Sequence, residues 1–330
     1  MEKTTIRRTL SIARSGHVSV REETLPPLEL GMVQIRSHAS AISAGTELGG
    51  FVGKARPEAI EEPWRNFGYQ AAGTVEAVGA GVTKFTLGER VAAMGASYAL
   101  HADRVLVPQN LCVSLPDSVS FTDAAFIALG ATAFQAVRRG DVVFGENIGV
   151  WGLGMLGQLV VQVCHAAGAS VVGHDPAEKR RALAPLSENI GPLDAAFLCF
   201  GGEASEALKE IVTHMRQAPD THRSGRIVLV GGATVTHRFG ADLGNLDLRS
   251  AARTGPGYHD KAWERGADYP SVSVRWDTQT HLQLFVQWLA EGKLNLTGLY
   301  QSVALESAPA TCYALMDRQS EQLGVVVTYS

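Results

Sequence analysis

Residues 147–175, NIGVWGLGMLGQLVVQVCHAAGASVVGHD, constrain the fold more than any other stretch of the chain. An apolar run, Ile148 to Trp151, leads into Gly152-Leu153-Gly154-Met155-Leu156-Gly157. A helix-compatible run from Met155 to Ala167 follows, and a second apolar run, Ser170 to Gly173, ends at Asp175. The order is strand, glycine turn, helix, strand, acid. Gly152 permits the tight turn, Gly154 lets the backbone approach a pyrophosphate, and Gly157 lets the helix pack close to the strand. The first N–H groups of the helix, with its positive dipole end at Met155 and Leu156, face the phosphates. Asp175 lies 18 residues after Gly157, where a carboxylate can accept hydrogen bonds from a ribose diol. The stretch is apolar enough to mimic a membrane span. Gln158, Gln162 and His165 recur at helical spacing, however, which suits a helix buried against a sheet.

A chain of 330 residues has room for two domains. A net charge of −4 gives no basic surface for nucleic acid or an anionic membrane. The N-terminus has no long apolar core, so no signal peptide is expected and the location expected is cytoplasmic. Cys112, Cys164, Cys199 and Cys312 are widely spaced, form no CxxC pair, and read as reduced core residues. That spacing excludes a structural zinc site made of cysteines.

From the N-terminus, Thr5–Arg14 and His17–Glu23 read as a hairpin turning at Ser15-Gly16, and Val33–Ala39 alternates as a strand. Ile42-Ser43-Ala44-Gly45-Thr46-Glu47 is a turn of small residues leading to a short helix. Residues 52–66 form an irregular polar loop that can cover a site. Ala72–Val78, Arg90–Ala93 and Val105–Pro108 are short strands with glycine turns, the pattern of a small, partly open β-barrel. Residues 122–139 switch to helical spacing. Beyond Asp175, helix and strand alternate: 177–186, 194–200, 205–216 and 225–230, with Gly201-Gly202 and Gly231-Gly232 at strand ends. This alternation argues a parallel, doubly wound α/β sheet, whose ligands bind at the carboxyl ends of the strands. Only about 18 residues separate Asp175 from Asp194, too few for a full unit, so the next strand is expected to be lost or vestigial. A helix at 278–291 and a strand–helix–strand tail close the chain.

With these residues in place the chain resembles the medium-chain dehydrogenase/reductase superfamily, which includes the zinc alcohol dehydrogenases. The matching motifs are Gly45-Thr46-Glu47, Gly68-Tyr69-Gln70-Ala71-Ala72-Gly73, the Gly88-Glu89-Arg90-Val91 turn and the glycine-rich nucleotide motif. Ser43–Glu47 and Gly255-Pro256-Gly257…Asp268-Tyr269-Pro270…Val274-Arg275-Trp276 resemble a subgroup known as zinc-binding dehydrogenases, whose Gly-Thr-Glu and Gly-Tyr-Glu pattern the bacteriochlorophyllide dehydrogenases, oxidants of a secondary alcohol, share. The resemblance implies a GroES-like β-barrel catalytic domain, expected at 1–130 and 259–330, and a Rossmann domain at 131–258. It also implies a homodimer.

The zinc enzymes hold their catalytic metal with a Cys, a His and a later Cys, and the matching positions here are Ala44, Tyr69 and Leu129. None supplies a usual zinc donor, so a zinc-independent enzyme is expected. Gln70 replaces the second-sphere Glu.

Without the metal, side chains must exchange the proton with the substrate oxygen. Thr46 matches the family hydroxyl that bonds the alcohol, although Thr also suits a helix N-cap. Tyr69 can donate to a carbonyl or fill the space the zinc vacated. Glu47 can orient Tyr69 or a backbone amide, and His101 is a further candidate; His38 is a weaker one. Ser43, Gln70, Leu129, Tyr258 and Trp276 are candidate pocket residues. The nucleotide set is Gly152, Gly154, Met155, Leu156, Gly157, Asp175, Arg180, Gly201, Gly231 and Gly232. Asp175 favours NAD(H) by repelling a 2′-phosphate, while Arg180 and Arg181 leave NADP(H) open. The expected reaction is secondary alcohol/ketone interconversion on a small molecule. The alternatives are an NADPH-dependent quinone or enoyl (C=C) reductase and a non-catalytic nucleotide-binding protein.

Overall fold

The computed structural model describes residues 5–54, 63–188, 190–240, 244–317 and 322–330. Residues 55–62 of the expected loop 52–66 lie outside these. The chain divides into two compact units, Met1–Ala128 with Pro256–Ser330, and Leu129–Gly255.

The first unit begins with β1 (Ile6–Ala13) and β2 (Val18–Thr24), an antiparallel hairpin paired Ile6 to Thr24 through Ile12 to Val18. β3 (Met32–Ile42) is the spine of a larger sheet and runs further than its alternating core suggests. A single π-helical turn, Ala44–Leu48, follows. Then come β4 (Trp64–Asn66), β5 (Gln70–Val78), β6 (Arg90–Met94), β7 (Arg104–Pro108) and β8 (Cys112–Ser114). β4 joins the hairpin beside β1. The helical stretch 122–139 is broken in two, α1 (Phe121–Ala124) and α2 (Ile127–Arg139). Ser120 caps α1 by accepting from the Asp123 N–H, as a serine at that position should.

The second unit carries β9 (Asn147–Trp151), α3 (Met155–Ala166), β10 (Ser170–His174), α4 (Glu178–Leu183) and β11 (Ala195–Leu198). It continues through β12 (Gly202–Glu203), α5 (Ser205–His214), β13 (Ser224–Val230), β14 (Ala233–Thr234) and β15 (Asn245–Ala251). Five strands form one parallel sheet in the order β10-β9-β11-β13-β15. This is the doubly wound sheet with its expected shortening: among the described residues no strand lies between β10 and β11, and β10 is left at the edge. Ser187 borrows that edge, its N–H donating to the Val171 carbonyl at 2.7 Å and its hydroxyl accepting from the Val171 N–H at 3.1 Å. A cavity of about 780 Å³ beside the edge is lined by Val172–His174, by residues between Leu186 and Leu193, and by Thr213–Met215. β15, absent from the pattern expected of the sequence, closes the other edge. Its residues are half-buried or exposed except Ala251, and only Leu246 and Leu248 alternate, too short an apolar period to mark it.

The chain returns to the first unit with α6 (Lys261–Glu264), α7 (Thr278–Ala290), β16 (Tyr300–Ala304), α8 (Ala308–Met316) and β17 (Gly324–Thr328). β16 and β17 extend the barrel sheet to β16-β17-β3-β5-β6-β8; β17 pairs with Ala39–Ile42 of β3 and β7 with Met32–Arg36. One apolar core then unites Leu10 and Ile12 of the hairpin, Leu48 of the π turn, Phe67, Cys312 and Met316 of α8, and Val325 and Val327. Full burial of Leu48 in that cluster fixes the turn that carries Thr46 and Glu47. No helix among the described residues is long and apolar enough to cross a membrane.

Candidate active site

In the first unit, Ser43, Thr46 and Glu47 act on Tyr69, and His101 joins them through Glu47. Ser43 is the N-cap residue of the π turn, and its own N–H donates to the Glu47 carboxylate at 2.7 Å. Glu47 thus satisfies the start of the turn, as the acid of a capping box does. The Ser43 hydroxyl makes no cap bond; with that of Thr46 it hydrogen-bonds the Tyr69 hydroxyl. Thr46 lies inside the turn and is not its N-cap; Ser43 holds that position, without a side-chain cap bond.

Tyr69 stands immediately before β5. Its backbone carbonyl accepts from the Gly95 N–H at 2.8 Å. Burial and the neighbouring Glu47 charge hold the Tyr69 hydroxyl well above the usual tyrosine range, against the pull of the Ser43 and Thr46 hydroxyls. Tyr69 is therefore a phenol that keeps its proton at neutral pH. That state suits a group that donates to a carbonyl oxygen.

His101 is completely enclosed. Its Nε2 lies 3.2 and 3.3 Å from the two Glu47 oxygens, and its Nδ1 lies 2.8 Å from Ser40 Oγ. Ser40 Oγ in turn lies 2.7 Å from the Tyr329 hydroxyl. The imidazole is fixed from both sides of its backbone: its N–H donates to the Phe67 carbonyl and its carbonyl accepts from the Leu10 N–H. The Phe67 ring meets it edge-on at 5.1 Å. Ser40 and Tyr329 escaped the sequence reading. The signal for Ser40 is a polar residue at a buried position of β3; Tyr329 carries no local signal.

The other first-unit candidates scatter. Gln70 is fully enclosed and gives its amide to the Ala41 carbonyl at 3.1 Å, a bond across the β3–β5 pair, instead of lining an open pocket. The Tyr258 hydroxyl accepts from the Ala96 N–H at 2.7 Å, and Tyr258 is close enough to Tyr69 to oppose its ionisation. Trp276 is half-buried with the Arg275 guanidinium 4.7 Å over its ring. His38 stacks on Phe121 at 4.5 Å and bonds Thr74, and burial lowers its pKa. A groove of about 500 Å³ between β8 and α7, lined by Lys84, Gln279, Gln283 and Gln287, includes none of the candidate residues.

The donor set does not fit the zinc of the related enzymes. Ala44 has no donor, Tyr69 would have to lose a proton its surroundings retain, and both Glu47 oxygens are spent on Ser43 and His101. Leu129 is buried in α2 and belongs to the second unit. Among the described residues no three His, Cys, Asp or Glu side chains gather as a metal site would require.

In the second unit the glycine turn suits a pyrophosphate. Gly152 has φ +88°, a left-handed conformation that favours glycine. A Cβ on Gly157 would overlap the Gly152 carbonyl oxygen, whereas Gly154, the N-cap of α3, faces open space. Met155 and Leu156 open the helix, so their N–H groups have no partner within it. Gly201 and Gly232 lie side by side, and the strands β12 and β14 that follow them pair in parallel. Asp175 is buried, with one oxygen accepting from the Leu153 N–H at 2.8 Å and the other from the Ala177 N–H at 2.9 Å. Arg180 approaches the carboxylate at 3.5 Å, and the Arg181 guanidinium donates to the Asp175 carbonyl. All four cysteines are free thiols; Cys112, Cys164 and Cys312 are buried, but Cys199, expected in the core, is partly exposed.

Comparison with known proteins agrees with this architecture. Residues 29–117 match the alcohol dehydrogenase GroES-like domain. Over 117 residues the chain is 31% identical to the uncharacterized zinc-type alcohol dehydrogenase-like protein YphC of Escherichia coli, covering 35% of this chain and 31% of that protein. It is 28% identical over 176 residues to (R,R)-butanediol dehydrogenase of Bacillus subtilis, covering 44% of this chain and 51% of that enzyme. The matches thus span about a third to a half of these relatives' length. Among solved structures, an Escherichia coli oxidoreductase/dehydrogenase of unknown specificity superposes with a TM-score of 0.78 at 16% identity, over 99% of this chain and all of that one. A putative zinc-binding dehydrogenase from Sinorhizobium meliloti, solved with NADP bound, gives 0.73 at 16% identity, over 98% of this chain and all of that one. Residues 29–117 thus form an alcohol dehydrogenase GroES-like domain, and with its parallel nucleotide-type sheet the chain is similar in architecture to medium-chain dehydrogenases/reductases.

Proposed function

We propose that the protein is a zinc-independent, NAD(P)-dependent oxidoreductase that interconverts a secondary alcohol and a ketone. The carrying observation is Tyr69: a hydroxyl held protonated, bonded by Ser43 and Thr46, at the sequence position where zinc relatives place a metal ligand. The dinucleotide fits the glycine turn at 152–157, with Gly201, Gly231 and Gly232 at the neighbouring strand ends. When bound, its nicotinamide supplies or accepts the hydride.

The chain's own residues do the rest. In the reducing direction the Tyr69 hydroxyl donates its proton to the carbonyl oxygen as that oxygen gains charge. Ser43 and Thr46 stabilise the phenolate left behind, because their hydroxyls donate to the Tyr69 oxygen. In the oxidising direction Tyr69 must first give up its own proton, so alcohol oxidation is expected to gain as pH rises. Rate measurements on Tyr69→Phe test this. Turnover is expected to fall about 100-fold or more with nucleotide affinity unchanged; equal turnover refutes the role.

A second reading, reduction of an activated C=C bond with NADPH, draws support from the cofactor end. The Asp175 carboxylate is turned inward onto two backbone N–H groups, and the partly exposed Arg180 stands beside it. That arrangement offers a cation to a 2′-phosphate. Fluorescence titration with NADH and NADPH separates the readings: tighter NADH binding supports the first, and strong NADPH selectivity supports the second.

A further inference from the structure

The open edge of β10 presents a pair of backbone groups whose direction follows from the bonds around them. The Ser170 N–H donates to the Glu146 carbonyl, and the His174 carbonyl accepts from the Gly152 N–H, so residues 170, 172 and 174 turn their backbone groups toward β9. Val171 and Gly173 turn theirs outward. Ser187 takes both groups of Val171. Among the described residues nothing takes those of Gly173, because β10 pairs with β9 alone. An extended residue holds its N–H and carbonyl side by side. Gly173 therefore offers one donor and one acceptor to the cavity of about 780 Å³ that it lines. That volume lies in the range of about 300–1,000 Å³ that small-molecule sites occupy.

The same cavity has an aromatic wall. The direction a Cβ on Gly173 would take is filled, since it would come within 2.8 Å of Leu186 and 2.9 Å of Leu153. Side chains alternate along a strand, so His174 points the other way. Its ring stacks on Trp151 with centroids 4.1 Å apart and planes at 3°. The His214 ring is 5.7 Å from His174 and 5.9 Å from Trp151. Those nearly equal separations put His214 at the flank of the stack. The far face of His174 is left to the cavity, and its side chain is 34% exposed. Charge is disfavoured on both sides. Glu210, 3.7 Å from His174 Nδ1, repels a carboxylate, and the Arg223 guanidinium, which donates to the Thr213 and Met215 carbonyls, repels an ammonium.

We propose that this cavity is a second ligand site, sharing no residue with the glycine turn, and that it takes a small uncharged aromatic amide. The ligand's ring lies on the far face of His174 and continues the stack from Trp151. Its amide, turning about the bond to the ring, pairs with Gly173: the amide oxygen accepts from the Gly173 N–H, and the amide N–H donates to the Gly173 carbonyl. An added peptide strand fits less well. It needs a run of open backbone groups, and Ser187 has already closed Val171. The proposal stands apart from the role given to Tyr69.

The test follows the backbone amides of the ¹⁵N-labelled full chain by NMR during titration with naphthylacetamide, with and without saturating NADH. A saturable shift of the Gly173 amide is expected, with the same affinity whether or not NADH is present. The N,N-dimethyl amide of the probe, which has no N–H, is expected to bind about tenfold more weakly. His174→Ala is expected to weaken the parent probe by a similar factor, about tenfold. Thr213→Trp, at an exposed position on the cavity rim, is expected to abolish binding and serves if His174→Ala does not fold. An unmoved Gly173 amide, equal affinity for the dimethyl amide, or displacement of the probe by NADH would each overturn the proposal. So would a Gly173 shift that follows protein concentration without probe, which would make this edge a contact between copies of the chain.

Discussion

The Tyr69 hydroxyl shows how far one side chain's chemistry depends on its neighbours. Burial and Glu47 push its ionisation up, and Ser43 and Thr46 pull it down; the upward pull wins. Removing the Thr46 hydroxyl should leave the phenolate less stabilised. Thr46→Val is expected to slow alcohol oxidation about tenfold, as loss of one hydrogen bond to a charged oxygen implies. Steady-state kinetics in both directions would check it, and an unchanged oxidation rate would remove Thr46 from the site. The residues that meet here were legible because each is a chemical type out of place: a tyrosine where relatives keep a histidine, an acid after a Gly-Thr pair. The pairing of Glu47 with His101 was not legible. The two lie 54 positions apart, and bonds of His101 to Phe67, Leu10 and Ser40 hold it beside Glu47.

At the scale of elements, the π turn is held by Leu48, which is fully buried among Leu10, Phe67, Cys312 and Val325. Leu48→Ala is expected to cost about 2–5 kcal/mol by urea unfolding and to lower turnover by loosening Ser43 and Thr46. A loss in stability with unchanged turnover would show that the turn keeps its geometry without that anchor. In the second unit, β10 lost its outer neighbour, and its last residue found a different partner. His174 stacks on Trp151 at 4.1 Å and 3°. Burial holds the His174 pKa low, with His214 and Arg181 adding to the effect and Glu210 opposing it. The folded state thus prefers the neutral ring. The unfolded chain takes up its proton at a higher pH, so this contribution is complete above about pH 6.5 and is lost as pH falls below it. His174→Phe, which keeps a stacked ring, is expected to lessen the fall in urea midpoint between about pH 7 and pH 5.5. His38, also held low by burial, loses stability in the same window and accounts for part of what remains.

For the whole chain, most of the architecture was legible because its signals are local. Alternation marked the barrel strands, a glycine turn and an acid marked the βαβ unit, and the short span from Asp175 to Asp194 announced the missing strand. The short strands β4 and β8 and the exposed β15 were not, since each is defined by pairing partners distant in sequence. The central proposal is that, where the similar zinc enzymes use a catalytic metal, Tyr69 does the proton chemistry in this chain. The direct measurement is oxidation of secondary alcohols by purified protein whose zinc content is determined in the same sample, before and after chelation. The account predicts turnover at far below one zinc per chain, unchanged by the chelator. Stoichiometric zinc, with activity lost on chelation and restored by adding zinc back, would contradict it.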